Sequence, residues 1–115
     1  MEIIIPTDCG NAPRKLVITD FITAWALADT KTLNSWLAID AEWLTPTAPA
    51  DSTQPPQHKA LKLEFLTLAT HGREAACNGY LENANTRLDF AHFFHFATTA
   101  RTSKITLIRS YLIES

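Results

Sequence analysis

The stretch Arg87-Leu-Asp-Phe-Ala-His-Phe-Phe-His-Phe-Ala97, followed after a short polar break by Lys104-Ile-Thr-Leu-Ile-Arg-Ser-Tyr-Leu112, decides how the chain folds. Its two halves read as the arms of a long β-hairpin. Four phenylalanines and two histidines crowd the first eleven residues, and the side chains of a strand alternate between its faces. Leu88, Phe90, His92, Phe94 and Phe96 therefore share one face, while Asp89, Ala91, Phe93, His95 and Ala97 share the other. His92 is thus placed inside an apolar row, which makes that row the first candidate for a site. The rest of the chain reads as what covers or extends this wall.

Moving back from the hairpin, strand signals come in close succession. Leu61, Leu63, Phe65 and Thr67 alternate with Lys62, Glu64 and Leu66, His71-Gly72 marks a tight turn, and Glu74 to Leu81 is a run of small residues suited to a strand. Asn83-Ala84-Asn85 turns into the hairpin, Ala100 to Ser103 closes it, and the last strand ends near Ile113. Ahead of these strands the period changes. Val17, Phe21, Ala24, Trp25 and Ala28 follow helical spacing, which puts both aromatics on one face of a helix running from Pro13 to about Ala28, with Asn11 as its N-cap. Asp29 or Thr30 can cap a second, short helix carrying Leu33, Trp36 and Leu37, and Ile39 to Leu44 then alternates as a strand that Pro46 stops. Ile3 to Ile5 reads as a short leading strand or arm ended by Pro6. Helices first and an antiparallel meander after them is the α+β pattern.

Residues 45 to 58 hold four of the six prolines and no large apolar side chain, so they form a loop and not a helix. A cover for a binding site and a plain connection are both open readings of it.

Composition narrows the function classes. At 115 residues the chain suits one domain, 1–115, with a core that needs no staples. A net charge of -2, a sequence pI near 6.0 and the lack of any basic run give no reason to expect nucleic acid or an anionic membrane as partner. Cys9 and Cys77 are too few and too far apart for a disulfide framework or a zinc site, and read as free thiols in a reducing compartment. No stretch approaches the roughly 18 apolar residues of a membrane helix, so a soluble cytoplasmic protein is expected. His92 and His95, three apart on a strand, point to opposite faces and do not make a metal pair. No metal and no cofactor are expected.

The helix with Phe21, Thr23-Ala24-Trp25-Ala26 and Ala28-Asp29, then Ile39-Asp40-Ala41-Glu42-Trp43, then the hairpin ending Lys104-Ile105 and Ser110-Tyr111-Leu112, resembles the nuclear transport factor 2-like superfamily. SnoaL-like polyketide cyclases and ketosteroid isomerase share that fold. Cys9-Gly-Asn-Ala-Pro13 and Thr70-His-Gly-Arg-Glu74 are similar to signatures of a group of small bacterial members, mostly of unassigned function. The resemblance implies a cone-shaped, strongly bent antiparallel sheet with the N-terminal helices on its concave face. By alternation Arg109 and Tyr111 share a sheet face opposite Ser110 and Leu112; if that face is the outer one, with Phe93 also on it, it is the expected surface of a homodimer. Relatives usually open a third helix with a Gly-Lys motif after the first long strand; here the proline-rich loop stands in that place, about ten residues shorter. That departure leaves the pocket more open or covered by another subunit.

Ketosteroid isomerase uses a tyrosine, a protonated aspartate and an aspartate base. The resemblance puts Phe21, His92 and Thr45 at those places, and neither phenylalanine nor threonine can take the role. Steroid-isomerase chemistry is therefore not expected. His92 is the catalytic candidate, a neutral imidazole acting as general acid or base or holding a ligand carbonyl. Its structural alternative is a core histidine satisfied by a backbone carbonyl, a water or Trp43. The expected pocket is lined by Phe21, Trp25, Trp43, Phe90, Phe94, Ile108, Ser110 and Leu112. Two functions follow as expectations: binding of a small apolar or aromatic molecule, with isomerase or cyclase activity resting on His92, or a non-catalytic dimeric domain for binding or assembly.

Overall fold

The computed structural model of the protein describes residues 1–6, 13–46 and 60–114. Among these, in chain order, are β1 (Glu2–Ile4), α1 (Pro13–Ala26), α2 (Thr30–Trp36), β2 (Leu37–Leu44), β3 (Lys62–His71), β4 (Glu74–Glu82), β5 (Arg87–Phe96) and β6 (Ile105–Glu114). Asn11, Cys9 and most of the proline-rich loop fall outside the described residues, and with them the expected N-cap and one of the two thiols.

The strands form one sheet in the order β1-β3-β4-β5-β6-β2. Its four central strands are the antiparallel meander expected from the turn signals. The edges differ: β1 runs parallel to β3 and β2 parallel to β6. Both edge strands reach the meander over a connection too long for a hairpin, so nothing obliges them to reverse direction. Two bulges mark where the sheet bends. In β3, Leu66 is the extra residue between the Phe65↔Gly79 and Thr67↔Asn78 pairs. In β6, Thr106 stands alone between the pairs of His95 and Phe96, and residues 38 to 41 of β2 arch past it. The first bulge corrects the strand reading. A strict alternation put Thr67 with Leu63 and Phe65, but one extra residue moves Thr67 to the outside and brings Leu68 in.

Helix α1 lies across the concave face. Val17, Ile18, Phe21, Ile22, Ala24 and Trp25 are buried against Leu63, Phe65, Phe90, Phe94 and Phe96 in one core. Arg14 belongs to the same helical stripe, with its guanidinium 3.8 Å over the Phe96 ring and Nη2 donating to Thr98 O. The helix stops two residues before Ala28, contrary to expectation. Ala28 is left-handed (φ 58), and the hydrogen bonds Ala28 N to Trp25 O and Asp29 N to Ala24 O make a Schellman ending. Asp29 then caps α2 by accepting from Thr32 N. α2 is shorter than read, because Leu37 is already extended and opens β2. It packs against α1 and β2, buries Leu33 and is tied to α1 by Trp36 Nε1 donating to Asp20.

Candidate functional site

The inward row of β5 carries the site. Leu88, Phe90, His92, Phe94 and Phe96 alternate toward α1 as the pattern required, and from Phe90 to Phe96 the row is buried. Register then decides who meets His92. Cys77 of β4 lies opposite it on one side and Ser110 of β6 on the other. α1 comes down on top, so that Trp25 packs edge-on to His92 with ring centroids 4.9 Å apart and to Phe90 at 5.7 Å. Phe90 and Phe94 flank the imidazole at 5.0 and 6.1 Å. Phe21 bridges Phe94 at 5.8 Å and Trp43 at 5.6 Å.

His92 has no solvent exposure. Its Nδ1 lies 2.6 Å from Ser110 Oγ, and the same oxygen accepts from Trp43 Nε1 at 2.8 Å. Among the described residues the partner is thus a side-chain hydroxyl, and not the backbone carbonyl or Trp43 that the structural alternative named; Trp43 is bonded to that hydroxyl instead. His92 Nε2 is buried with no hydrogen-bond partner among the described residues, as is Trp25 Nε1. Burial pushes the imidazole down to about 3, so the ring is neutral throughout the physiological range. Burial likewise pushes the Cys77 thiol up, which removes the thiolate that nucleophilic chemistry would need.

Of the nine residues expected around the site, Phe21, Trp25, Phe90, His92, Phe94, Ile108 and Ser110 are buried together, while Trp43 and Leu112 are half-buried at its margin. Thr45, which the resemblance set against the isomerase base, has a buried hydroxyl without a partner among the described residues. Phe21, which the resemblance set against that enzyme's tyrosine, offers only an apolar ring. His95 faces away from His92, and among the described residues no group of three or more His, Cys, Asp or Glu side chains is placed to hold a metal.

Sequence reasoning missed two features. Arg14 was not placed in the core, although its spacing to Val17, Ile18 and Phe21 carried the signal. The Ser110 contact had no such signal, because it depends on the hairpin register.

The chain matches no protein-family model and no curated protein. Its fold, however, is that of the nuclear transport factor 2-like proteins. A protein of unknown function and that fold from Burkholderia xenovorans superposes with a TM-score of 0.65 over 87% of this chain and 82% of its own, at 12% identity. A candidate ketosteroid isomerase from Kribbella flavida gives 0.65 at 15% identity, covering 90% of this chain and 79% of its own. A candidate SnoaL-like polyketide cyclase from Shewanella denitrificans gives 0.64 at 14% identity, covering 89% and 92%. Identities this low establish architecture and leave activity to the site itself.

Proposed function

We propose that the protein binds a small apolar or aromatic molecule on the concave side of its sheet, with His92 as the polar contact. The observation that carries this reading is the buried, unpartnered Nε2 of His92 within an aromatic cradle. A polar atom left unpaired in a dry place is destabilising by about 1–3 kcal/mol, and native proteins keep few of them without a use. Phe21, Trp25, Trp43, Phe90, Phe94, Ile108 and Leu112 supply the apolar surround, with Ser110 as the hydroxyl that bonds His92. If the site does chemistry, it is cofactor-independent isomerisation or cyclisation in which a neutral His92 polarises a carbonyl. Ketosteroid isomerase chemistry is not proposed, since Phe21 and Thr45 lack the groups for it. The reading places the protein in the cytoplasm with Cys77 as a thiol; among the described residues no helix is long and apolar enough to cross a membrane.

A thermal-shift screen of small aromatic and carbonyl compounds on the wild type and on His92→Ala tests the reading. A ligand that binds the native state alone raises stability by about 2.7 kcal/mol at a hundredfold excess over Kd. Shifts that disappear in the variant support the site. No shift with any compound, with a His92→Ala protein that is merely less stable, would make His92 a core residue.

A second reading has its own observation. On the outer face Phe93 is 50% exposed and packs edge-on to Tyr111 at 5.9 Å, with Leu66 and Leu44 also exposed. We infer a homodimer through this face, and a non-catalytic assembly role if the concave site proves empty.

A further inference from the structure

The contact between His92 and Ser110 admits two arrangements of protons, and their consequences are not equal. Trp43 Nε1–H has a proton to give and no lone pair to receive with, so Ser110 Oγ accepts from it. The serine hydroxyl has one proton of its own, and His92 Nδ1 is the acceptor within reach. In the first arrangement Ser110 donates to a bare Nδ1, and the imidazole proton sits on Nε2. In the second, Nδ1–H donates to an oxygen that already accepts from Trp43, and the serine proton has nowhere to go. The first leaves one buried group unpaired, the Nε2–H. The second leaves two, the serine proton and the Nε2 lone pair. Ser110 is 1% exposed and His92 wholly buried, so bulk solvent reaches neither. The arrangement with fewer unpaired groups prevails.

We propose that Trp43 and Ser110 are positioning residues that hold His92 as an Nε2–H donor, and that the site therefore takes a neutral acceptor, the carbonyl oxygen of an otherwise apolar molecule. This rests on the reading of the concave face as a ligand site. Trp25 supports it independently. Its Nε1–H can only donate, is buried without a partner, and belongs to the ring stacked edge-on against His92. Both unpaired atoms of that ring pair are then donors, and what would satisfy either is an acceptor. A carboxylate is disfavoured, because burial alone acts on His92 and no charged side chain contributes. An anion there would meet no cation. A general-base role is also removed, since the lone pair that could take a proton is occupied by Ser110.

Two measurements on the intact protein test the proposal. The first is a long-range 1H–15N correlation spectrum of the histidine rings in wild type, Ser110→Ala, Ser110→Thr and Trp43→Phe. The wild type is expected to show His92 protonated on Nε2 and bare on Nδ1, unchanged between pH 8 and 5; the titratable group facing it from β4 is Cys77, whose thiol stays protonated over that range. Ser110→Ala is expected to release the ring to a mixture of the Nε2–H and Nδ1–H forms and Ser110→Thr to keep the wild-type form. A wild-type His92 protonated on Nδ1 overturns the proposal whether or not any variant folds.

The second measurement compares thermal shifts for 1-indanone, indane and indole, three probes of similar size offering an acceptor, nothing polar, and a donor. 1-Indanone is expected to bind roughly three- to tenfold tighter than either of the others, the worth of one hydrogen bond, and to lose that margin in Ser110→Ala. Indole binding as well as 1-indanone overturns the acceptor assignment while leaving the ligand site standing. Failure of all three, with Nε2–H seen in the spectrum, overturns the ligand site and reduces the serine to a core contact.

Discussion

His92 carries two consequences that can be read without a ligand. Its folded pKa is pushed down to about 3 from an ordinary value of 6.5 because the charged ring would be dry. Between those values the unfolded chain binds a proton that the folded chain refuses. Its contribution to stability is therefore fully present above about pH 6.5 and is lost as pH falls, at up to about 1.4 kcal/mol per pH unit. Urea unfolding at pH 7.5, 5.5 and 4.5 of the wild type and of His92→Gln checks this: the wild type is expected to lose its margin over the variant as pH falls. A margin that stays constant would mean that the ring protonates in the fold. Ser110→Ala removes one acceptor and one donor at once, stranding Trp43 Nε1 and His92 Nδ1. The expected loss is about 2–4 kcal/mol by denaturant unfolding, against about 1 kcal/mol for Trp43→Phe, which strands no donor and leaves Ser110 its bond to His92.

At the scale of elements, the ends and bends are set by single residues. Ala28 holds a left-handed conformation at the end of α1, a position that glycine fills without strain. Ala28→Gly is expected to raise stability by about 0.5–1 kcal/mol, measured as a rise in the denaturation midpoint with an unchanged slope. Gly79 is the opposite case. It sits across from Phe65 beside the β3 bulge, and a Cβ there would lie 2.0 Å from Glu64 O, a backbone atom that cannot swing aside. Gly79→Ala is expected to cost about 3 kcal/mol or more, or to abolish folding, because the strand must move to admit the methyl group. The neighbouring turn is simpler. Gly72 takes φ 59 at the first central position of the His71 to Glu74 hairpin, as a tight two-residue turn between twisted strands requires.

For the whole molecule, the sheet has two faces with different fates. The concave one is filled from α1 and holds the candidate site. The convex one is left to solvent or to a partner: Phe93 and Tyr111 pack on each other there, while toward one end Tyr80 is covered by Arg87 at 3.9 Å and donates to Glu64. If a second copy covers the apolar part, Phe93→Glu converts a dimer to a monomer in light scattering at micromolar concentration. The same variant leaves the 1-indanone response unchanged, because residue 93 faces away from His92. A wild type that is monomeric up to millimolar concentration would remove the outer-face interface.

Much of this architecture was legible in the residues themselves. Alternation in Leu88 to Phe96 named the buried row, helical spacing put Phe21 and Trp25 on one stripe, and Asp29, His71-Gly72 and Asn83 marked the breaks. These are local properties, decided by the geometry of one strand, one helix or one turn. The parallel pairing of β1 and β2, the inward shift of Leu68 and the partner of His92 were not legible, since each depends on register between strands distant in sequence. A single extra residue, Leu66 or Thr106, changes which side chains face each other from there on. By itself, then, the sequence determined the elements, their order and the apolar face that buries a histidine. The tertiary structure alone decided that this histidine meets Ser110, that Ser110 is held by Trp43, and that Nε2 is left unpaired beneath Trp25, because hydrogen bonds between side chains are made only after the sheet has bent and the helix has closed over it.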